Sequence, residues 1–148
     1  MSFSILGKYS APLSACFFLC FLGFTTSCNS GKSSDNSAKI IEQLKAECDV
    51  VDYMFNNVPM SINQTEPLAI QHTLTYISEE VSPKLRPECL PAARMVFYGR
   101  GEIIVEADIY FEGRCQSFVF IKDNQVLFTR KMTEDGVSFH QSVLNQMR

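Results

Sequence analysis

The sequence predicts an α+β fold: two N-terminal helices, a four-stranded antiparallel meander and a short C-terminal helix. Apolar residues recur at three- and four-residue steps across 41–81, the period of helices that bury one face. From Ala93 the period changes to two, as in strands with one buried face. The pairs Arg100-Gly101, Glu112-Gly113 and Asp123-Asn124 punctuate that second half and suit tight hairpin turns.

The elements are preceded by a segment of different character. Lys8 comes before an apolar run over 11–24, which is followed by Thr25-Thr26-Ser27-Cys28. About 14 apolar residues make roughly 21 Å of helix, short of a hydrocarbon core of about 30 Å. The segment therefore reads as an export signal ending in small residues before a cysteine. It resembles the signal of bacterial lipoproteins, although Thr25 stands where those signals usually carry Leu. That resemblance implies cleavage before Cys28 and a lipid anchor, with acyl chains such as palmitate, on its sulfur and amino group. Leu13-Ser14-Ala15-Cys16 matches the same pattern, but Phe17, Phe18, Leu19, Phe21, Leu22 and Phe24 follow it. Cleavage there would leave an unburied apolar stub. The alternatives to lipidation are plain cleavage after a small residue and an uncleaved anchor.

Residues 29–37 are small, polar and aperiodic, as expected of a flexible tether. The predicted organisation is a signal over 1–27, a lipidated tether over 28–37 and one α+β domain over 38–148. Asn29, rather than Asp, follows the cysteine, so the resemblance points to the outer membrane. Removing residues 1–27 from the 148 leaves 121, with 12 basic and 16 acidic side chains and a formal charge of −4. That length supports one modest core. The basic residues are scattered and outnumbered, which argues against a nucleic-acid partner.

The first helix is marked by Ile41, Leu44, Cys48, Val51, Phe55 and Val58 on one stripe, with Glu42, Lys45, Glu47, Asp49 and Asp52 off it. Ser37 is its expected N-cap, and Pro59 with the 63–65 stretch ends it. A second helix is expected over about 66–81, capped by Thr65, with Pro67 in its first turn. Ile70, Leu74, Ile77 and Val81 form its apolar face. His72 and Tyr76 stand one turn apart on it, a small polar pair most simply read as a solvated helix face. Pro83, Pro87 and Pro91 impose an irregular segment around Cys89.

Over 102–112 the alternation sets Ile103, Val105, Ala107, Ile109 and Phe111 against Ile104, Glu106, Asp108, Tyr110 and Glu112. With two-residue turns at 112–113 and 123–124, Ala107 lies opposite Phe118, and Phe120 opposite Leu127. The helices are expected on that apolar face. On the other face Asp108, Ser117 and Arg130 form one row, and Glu106, Val119 and Phe128 the next. Phe139, Val143, Leu144 and Met147 mark the C-terminal helix.

That second face mixes apolar side chains with two carboxylates and an arginine, more apolar than a solvated sheet face usually is. Either another segment of the chain covers it or a partner does. Glu106, Asp108, Tyr110, Phe128 and Arg130 are its candidate interaction residues. Glu106 and Asp108 are expected about 7 Å apart, but a cross-strand ion pair with Arg130 is the simpler reading than catalysis.

Three cysteines remain after Cys28: Cys48, Cys89 and Cys115. One disulfide and one buried free thiol suit an oxidising envelope, and the expected pair is Cys48 with Cys89, pinning the proline-rich segment to the first helix. No ligand spacing for a metal is present, and no cofactor motif or catalytic signature. The expectation is a non-enzymatic, membrane-tethered envelope lipoprotein that binds another envelope protein. The alternative is a binder of a small amphipathic or lipidic ligand. The order of helices and meander resembles small accessory lipoproteins of outer-membrane assembly, and also cystatin-like folds, at the level of fold order alone.

Overall fold

The computed structural model describes residues 31–146. The signal segment, Cys28 and Met147 lie outside the described residues. The order of elements is α1 (Gly31–Glu47), β1 (Val50–Phe55), β2 (Ser61–Gln64), α2 (Pro67–Thr75), β3 (Ala93–Gly99), β4 (Glu102–Tyr110), β5 (Ser117–Lys122), β6 (Gln125–Lys131) and α3 (Glu134–Gln146). The fold is α+β, with one six-stranded sheet in the order β2-β1-β3-β4-β5-β6. Every neighbouring pair is antiparallel.

The first correction concerns α1. It begins at Gly31, so the run expected to be tether is helical over 31–37, and Ser37 is a buried residue inside the helix rather than its cap. The helix closes where the Cys48 N–H donates to the Leu44 carbonyl (3.1 Å), and the next amide, Asp49, donates to Tyr98 in β3 (2.9 Å). From there the chain is strand. Val51 and Phe55 satisfy both a helical stripe and an alternating one, but Tyr53 fits only the alternating one. Val51, Tyr53 and Phe55 bury together against β3, while Asp52 and Met54 face away. Tertiary pairing decides a segment whose β-branched and aromatic content already suits a sheet.

The second correction concerns α2, which stops at Thr75 instead of running to Val81. Its N-cap is Glu66, without a side-chain cap, rather than Thr65; Pro67 occupies its first turn as expected. Residues 76–80 then run beside β6. Ile77 bridges Met132, the Ser78 N–H donates to Lys131, the Lys131 N–H to Glu80 and the Thr133 N–H to Tyr76. The β6 edge of the sheet is thereby covered by the chain's own backbone.

β3 to β6 form the predicted meander. Arg100 and Gly101 (φ 54° and 81°) and Asp123 and Asn124 (φ 52° and 60°) make two-residue turns with both central residues left-handed, the geometry that matches strand twist. The third turn differs. Tyr110 pairs with Ser117 across a longer loop, so Ala107 faces Phe120 rather than Phe118. That shift is even and keeps the faces.

Two bulges are odd, and they change faces. In β4 the register breaks between Phe97 and Tyr98, leaving Ile104 as the extra residue. Ile104 and Val105 both turn inward and are buried, and Ile103 is left outside. In β6 the break lies between Phe120 and Ile121, with Leu127 extra. Phe120 therefore pairs with Phe128 rather than Leu127. A single inserted residue reverses the facing of every residue beyond it.

The inner face carries the core: Val51, Tyr53, Met95, Phe97, Val105, Ala107, Ile109, Phe118 and Phe120 are essentially inaccessible. Phe120 stacks on Phe128 with centroids 4.4 Å apart. α1 crosses this face against β3, β4 and β6. α3 docks through Gly136, where an added Cβ would stand 2.7 Å from Tyr76 Cβ and 2.9 Å from Met132 Cγ. Only a residue without a side chain allows that approach.

Candidate functional site

The expected interaction face is divided by the β6 bulge. Glu106, Asp108 and Tyr110 lie on the outer face, but Phe128 and Arg130 lie on the inner one, opposite Phe120 and Phe118. Arg130 donates to Ser37 Oγ in α1 (2.8 Å) and to the Glu79 carbonyl, with its guanidinium 5.9 Å from the Phe128 ring centre. It ties α1 and the 76–80 segment to the sheet edge, and the expected ion pair with Asp108 is not made.

The cation that meets the two carboxylates is Arg94 of β3. Its Nε donates to Asp108 (2.8 Å) and its Nη1 to Glu106 (3.3 Å). A turn at 100–101 without a bulge would set Arg94 opposite Ala107, on the apolar face. The extra residue Ile104 moves it opposite Asp108. The hydrogen bond to Asp108 raises the Arg94 pKa above its usual value. Tyr110 is also raised, first by burial and then by the Asp108 charge. Both carboxylates are thus committed to one guanidinium, which links β3 to β4.

The cysteines pair as Cys89 with Cys115, and Cys48 is the free thiol. The expected Cys48–Cys89 bond fails because Cys48 sits where α1 hands over to β1, whereas Cys89 belongs to a segment on the far side of the sheet. The Cys48 thiol hydrogen-bonds to the Val50 carbonyl (3.5 Å), and burial pushes its pKa up to about 11. An inert thiol is the consequence.

Residues 82–91 form a strap across the outer-face end of the sheet. Ser82 shares a hydrogen bond with the buried Ser117 hydroxyl and accepts one from Thr129 (3.2 Å) through its carbonyl. The disulfide fastens the strap at Cys89 to Cys115 of the β4–β5 loop. Its end is fixed where the Ala92 N–H donates to Ile109 (2.8 Å) and Asn56 donates to Pro91 (2.7 Å). The chain itself therefore covers part of the face that the sequence left open.

Between strap and loop lies a cavity of about 440 Å³, lined by Ser82, Lys84, Arg86, Arg114, Gln116 and Lys131 among others. Four cations converge there and no carboxylate is among the lining residues. Lys131 is paired with Glu80, and Arg86 with Glu88 (2.9 Å). Lys84 and Arg114 make no ion pair among the described residues. The lysine bond draws the Glu80 carboxyl below its usual pKa. Sequence reasoning missed this cluster because its members are 47 positions apart at the extremes, from Lys84 to Lys131. The correct disulfide was the one signal that would have joined them.

The histidines have separate fates. His72 Nδ1 meets the Tyr76 hydroxyl at 3.0 Å, and Tyr76 is buried, so the two are a hydrogen-bonded pair and not the solvated helix face expected. His140 is buried among Tyr53, Tyr76, Phe111, Phe118 and Phe139. Its Nδ1–H donates to the Gly136 carbonyl (2.6 Å), and Nε2 has no partner. Burial lowers its pKa. Among the described residues no cluster of three or more His, Cys, Asp or Glu is arranged to hold a metal ion, and no helix is long and apolar enough to cross a membrane.

Searches of protein-family models, curated proteins and solved structures found no match to this chain.

Proposed function

We propose that this protein is an exported lipoprotein, anchored in the bacterial envelope through Cys28, whose α+β domain acts by binding an envelope protein and not by catalysis. The observation that carries the reading is the Cys89–Cys115 disulfide. Disulfides persist in oxidising compartments, so the bond supports export independently of the N-terminal pattern of apolar run and Thr25-Thr26-Ser27-Cys28. Binding rather than chemistry is favoured by the commitment of Glu106 and Asp108 to Arg94 and by the inertness of the Cys48 thiol. The strap and the residue before it offer a contact surface: Leu90, next to the disulfide, and Val81 stand 77% and 70% exposed. Apolar side chains held out by a fastened backbone lose little entropy when a partner covers them. The outer membrane is the proposed destination, because Asn29 follows the anchor residue.

The deciding experiment is the mass of the N-terminal peptide from protein recovered from fractionated membranes. A diacyl or triacyl mass on Cys28, lost in a Cys28→Ser variant, is the expected result. An unmodified N-terminus near residue 28 in the soluble fraction would replace the tethered reading with a freely diffusing secreted domain.

A further inference from the structure

The strap cavity has a chemistry of its own, separate from the anchor and from the exposed strap residues. The chain carries 13 basic and 16 acidic residues, so chance favours acidic neighbours around any cavity. Yet Lys84, Arg86, Arg114 and Lys131 line this one without a carboxylate among them. Like charges gathered around one space repel each other, and water and salt relieve this only in part. An anion in the space removes the repulsion. Two of the four, Lys84 and Arg114, have no ion-pair partner among the described residues, so two positive charges are open to a ligand without breaking an existing pair.

The arms come from different parts of the chain. Lys84 and Arg86 ride on the strap, Arg114 on the β4–β5 loop and Lys131 at the end of β6. The disulfide joins the residue three after Arg86 to the residue one after Arg114. It therefore sets the spacing of the cations before any ligand arrives. Preorganisation of this kind lowers the ordering cost of binding.

We infer that this cavity is an oxyanion site that holds a phosphate group between Lys84, Arg86, Arg114 and Lys131, with the Cys89–Cys115 disulfide fixing its two arms. A carboxylate brings one negative charge, whereas a phosphate monoester brings about −1.5 to −2 near neutrality and three acceptor oxygens. That charge suits two unpaired cations, and guanidinium forks match phosphate oxygens in bidentate fashion. The same chemistry is offered by a soluble phosphate ester and by the phosphate of a lipid headgroup. Leu85 and Pro83 add apolar lining beside the cations.

The test is an NMR titration of the isotopically labelled protein with inorganic phosphate, alongside sedimentation with phosphatidylglycerol vesicles and with phosphatidylcholine vesicles. Saturable shifts confined to residues 82–89, 114–117 and 131 are expected, weakening as salt is raised. Removing both free cations in a Lys84→Gln, Arg114→Gln variant should weaken the response at least about tenfold, since a charged hydrogen-bond partner is worth on the order of a factor of ten. Lys122→Gln, on another hairpin, should leave it unchanged. Both charge variants alter exposed side chains, so the fold persists and the comparison stands. Opening the arms with Cys89→Ser and Cys115→Ser should weaken binding although every cation remains. Binding to phosphatidylglycerol vesicles without a response to inorganic phosphate, lost in the double charge variant, assigns the site to lipid headgroups. A response to phosphate with no vesicle binding assigns it to soluble esters. Shifts that never saturate, or that Lys122→Gln reduces as much as the double variant does, would overturn the site.

Discussion

The two faces of this sheet are built by opposite means. The inner face is closed by rings and aliphatic side chains under α1 and α3, and its polar atoms are nearly all paired internally: Tyr53 to Thr73 at 3.0 Å, His140 Nδ1 to Gly136 at 2.6 Å. The outer face buries less, with Val96 and Val119 among its buried side chains, and is otherwise held by an arginine between two carboxylates, a hydroxyl pair and a covalent bond. Burial stabilises in proportion to apolar area removed from water, whereas exposed ion pairs contribute little. Most of the stability therefore belongs to the inner face. The outer face is free to carry unneutralised charge, and the cations of the strap cavity stand there. The difference also explains the position of the disulfide. A strap of prolines and charged residues lacks the apolar area to hold itself down, and the covalent bond does so instead.

The largest expected effect tests the inner face. Phe120 is fully buried and stacks on Phe128 and, at 6.4 Å, on Phe97. Phe120→Ala should lower unfolding stability by about 3–5 kcal/mol, a large part of the roughly 5–15 kcal/mol of a typical domain. Chemical denaturation read by circular dichroism measures it, and a loss below 1 kcal/mol would mean that this face is not the core. Next comes the strap. The disulfide closes a separation of 26 residues, and replacing both cysteines by serine should remove about 2–4 kcal/mol. Hydrogen exchange should then rise along 82–91 while β3 to β5 stay protected, which is what separates a local fastening from a core element.

The comparison of faces also marks what could be read in advance. Alternation and the turn pairs at 100–101 and 123–124 identified β3 to β6, because period and turn chemistry are local. Ile104 and Leu127 were hidden: each is an apolar residue inside an apolar run, so nothing in the local pattern shows that it is extra. Their effect is long-range. One bulge brings Arg94 to Asp108 and the other takes Arg130 away from it, which is why the expected acidic–basic row had the right acids and the wrong base. β1 was hidden for a related reason, since Leu44, Cys48, Val51 and Phe55 satisfy the helical step as well as Val51, Tyr53 and Phe55 satisfy the strand step. The cationic cavity required the disulfide partner of Cys89, a fact of tertiary structure.

A pH experiment sharpens the same contrast with a smaller effect. Burial holds the folded-state pKa of His140 below its unfolded value near 6.5, so the unfolded chain binds the extra proton first. The contribution of neutral His140 is complete above pH 6.5 and is lost as pH falls toward the folded pKa. The slope approaches about 1.4 kcal/mol per pH unit in that window. Tyr53 and Tyr76 face the ring, and burial raises both of their pKa values, so neither supplies a compensating charge. The difference in stability between wild type and His140→Phe should narrow or reverse below pH 6.5. A constant difference across pH 5 to 7 would show that the ring is protonated in place.

The smallest effect is expected on the outer face, at Arg94. Its side chain is 39% exposed and those of Glu106 and Asp108 are 32% and 16% exposed, so water screens much of the attraction. A double-mutant cycle with Arg94→Ala and Asp108→Ala isolates the pair from the other contacts of each residue. The coupling should be about 1 kcal/mol or less and should shrink between low and high salt. Arg94→Ala alone should cost somewhat more than the coupling, because it leaves the less exposed Asp108 charge without its partner. A coupling of 3 kcal/mol or more would place the outer face among the determinants of stability. The division of labour between the two faces would then fail, and with it the freedom of the outer face to carry binding charge.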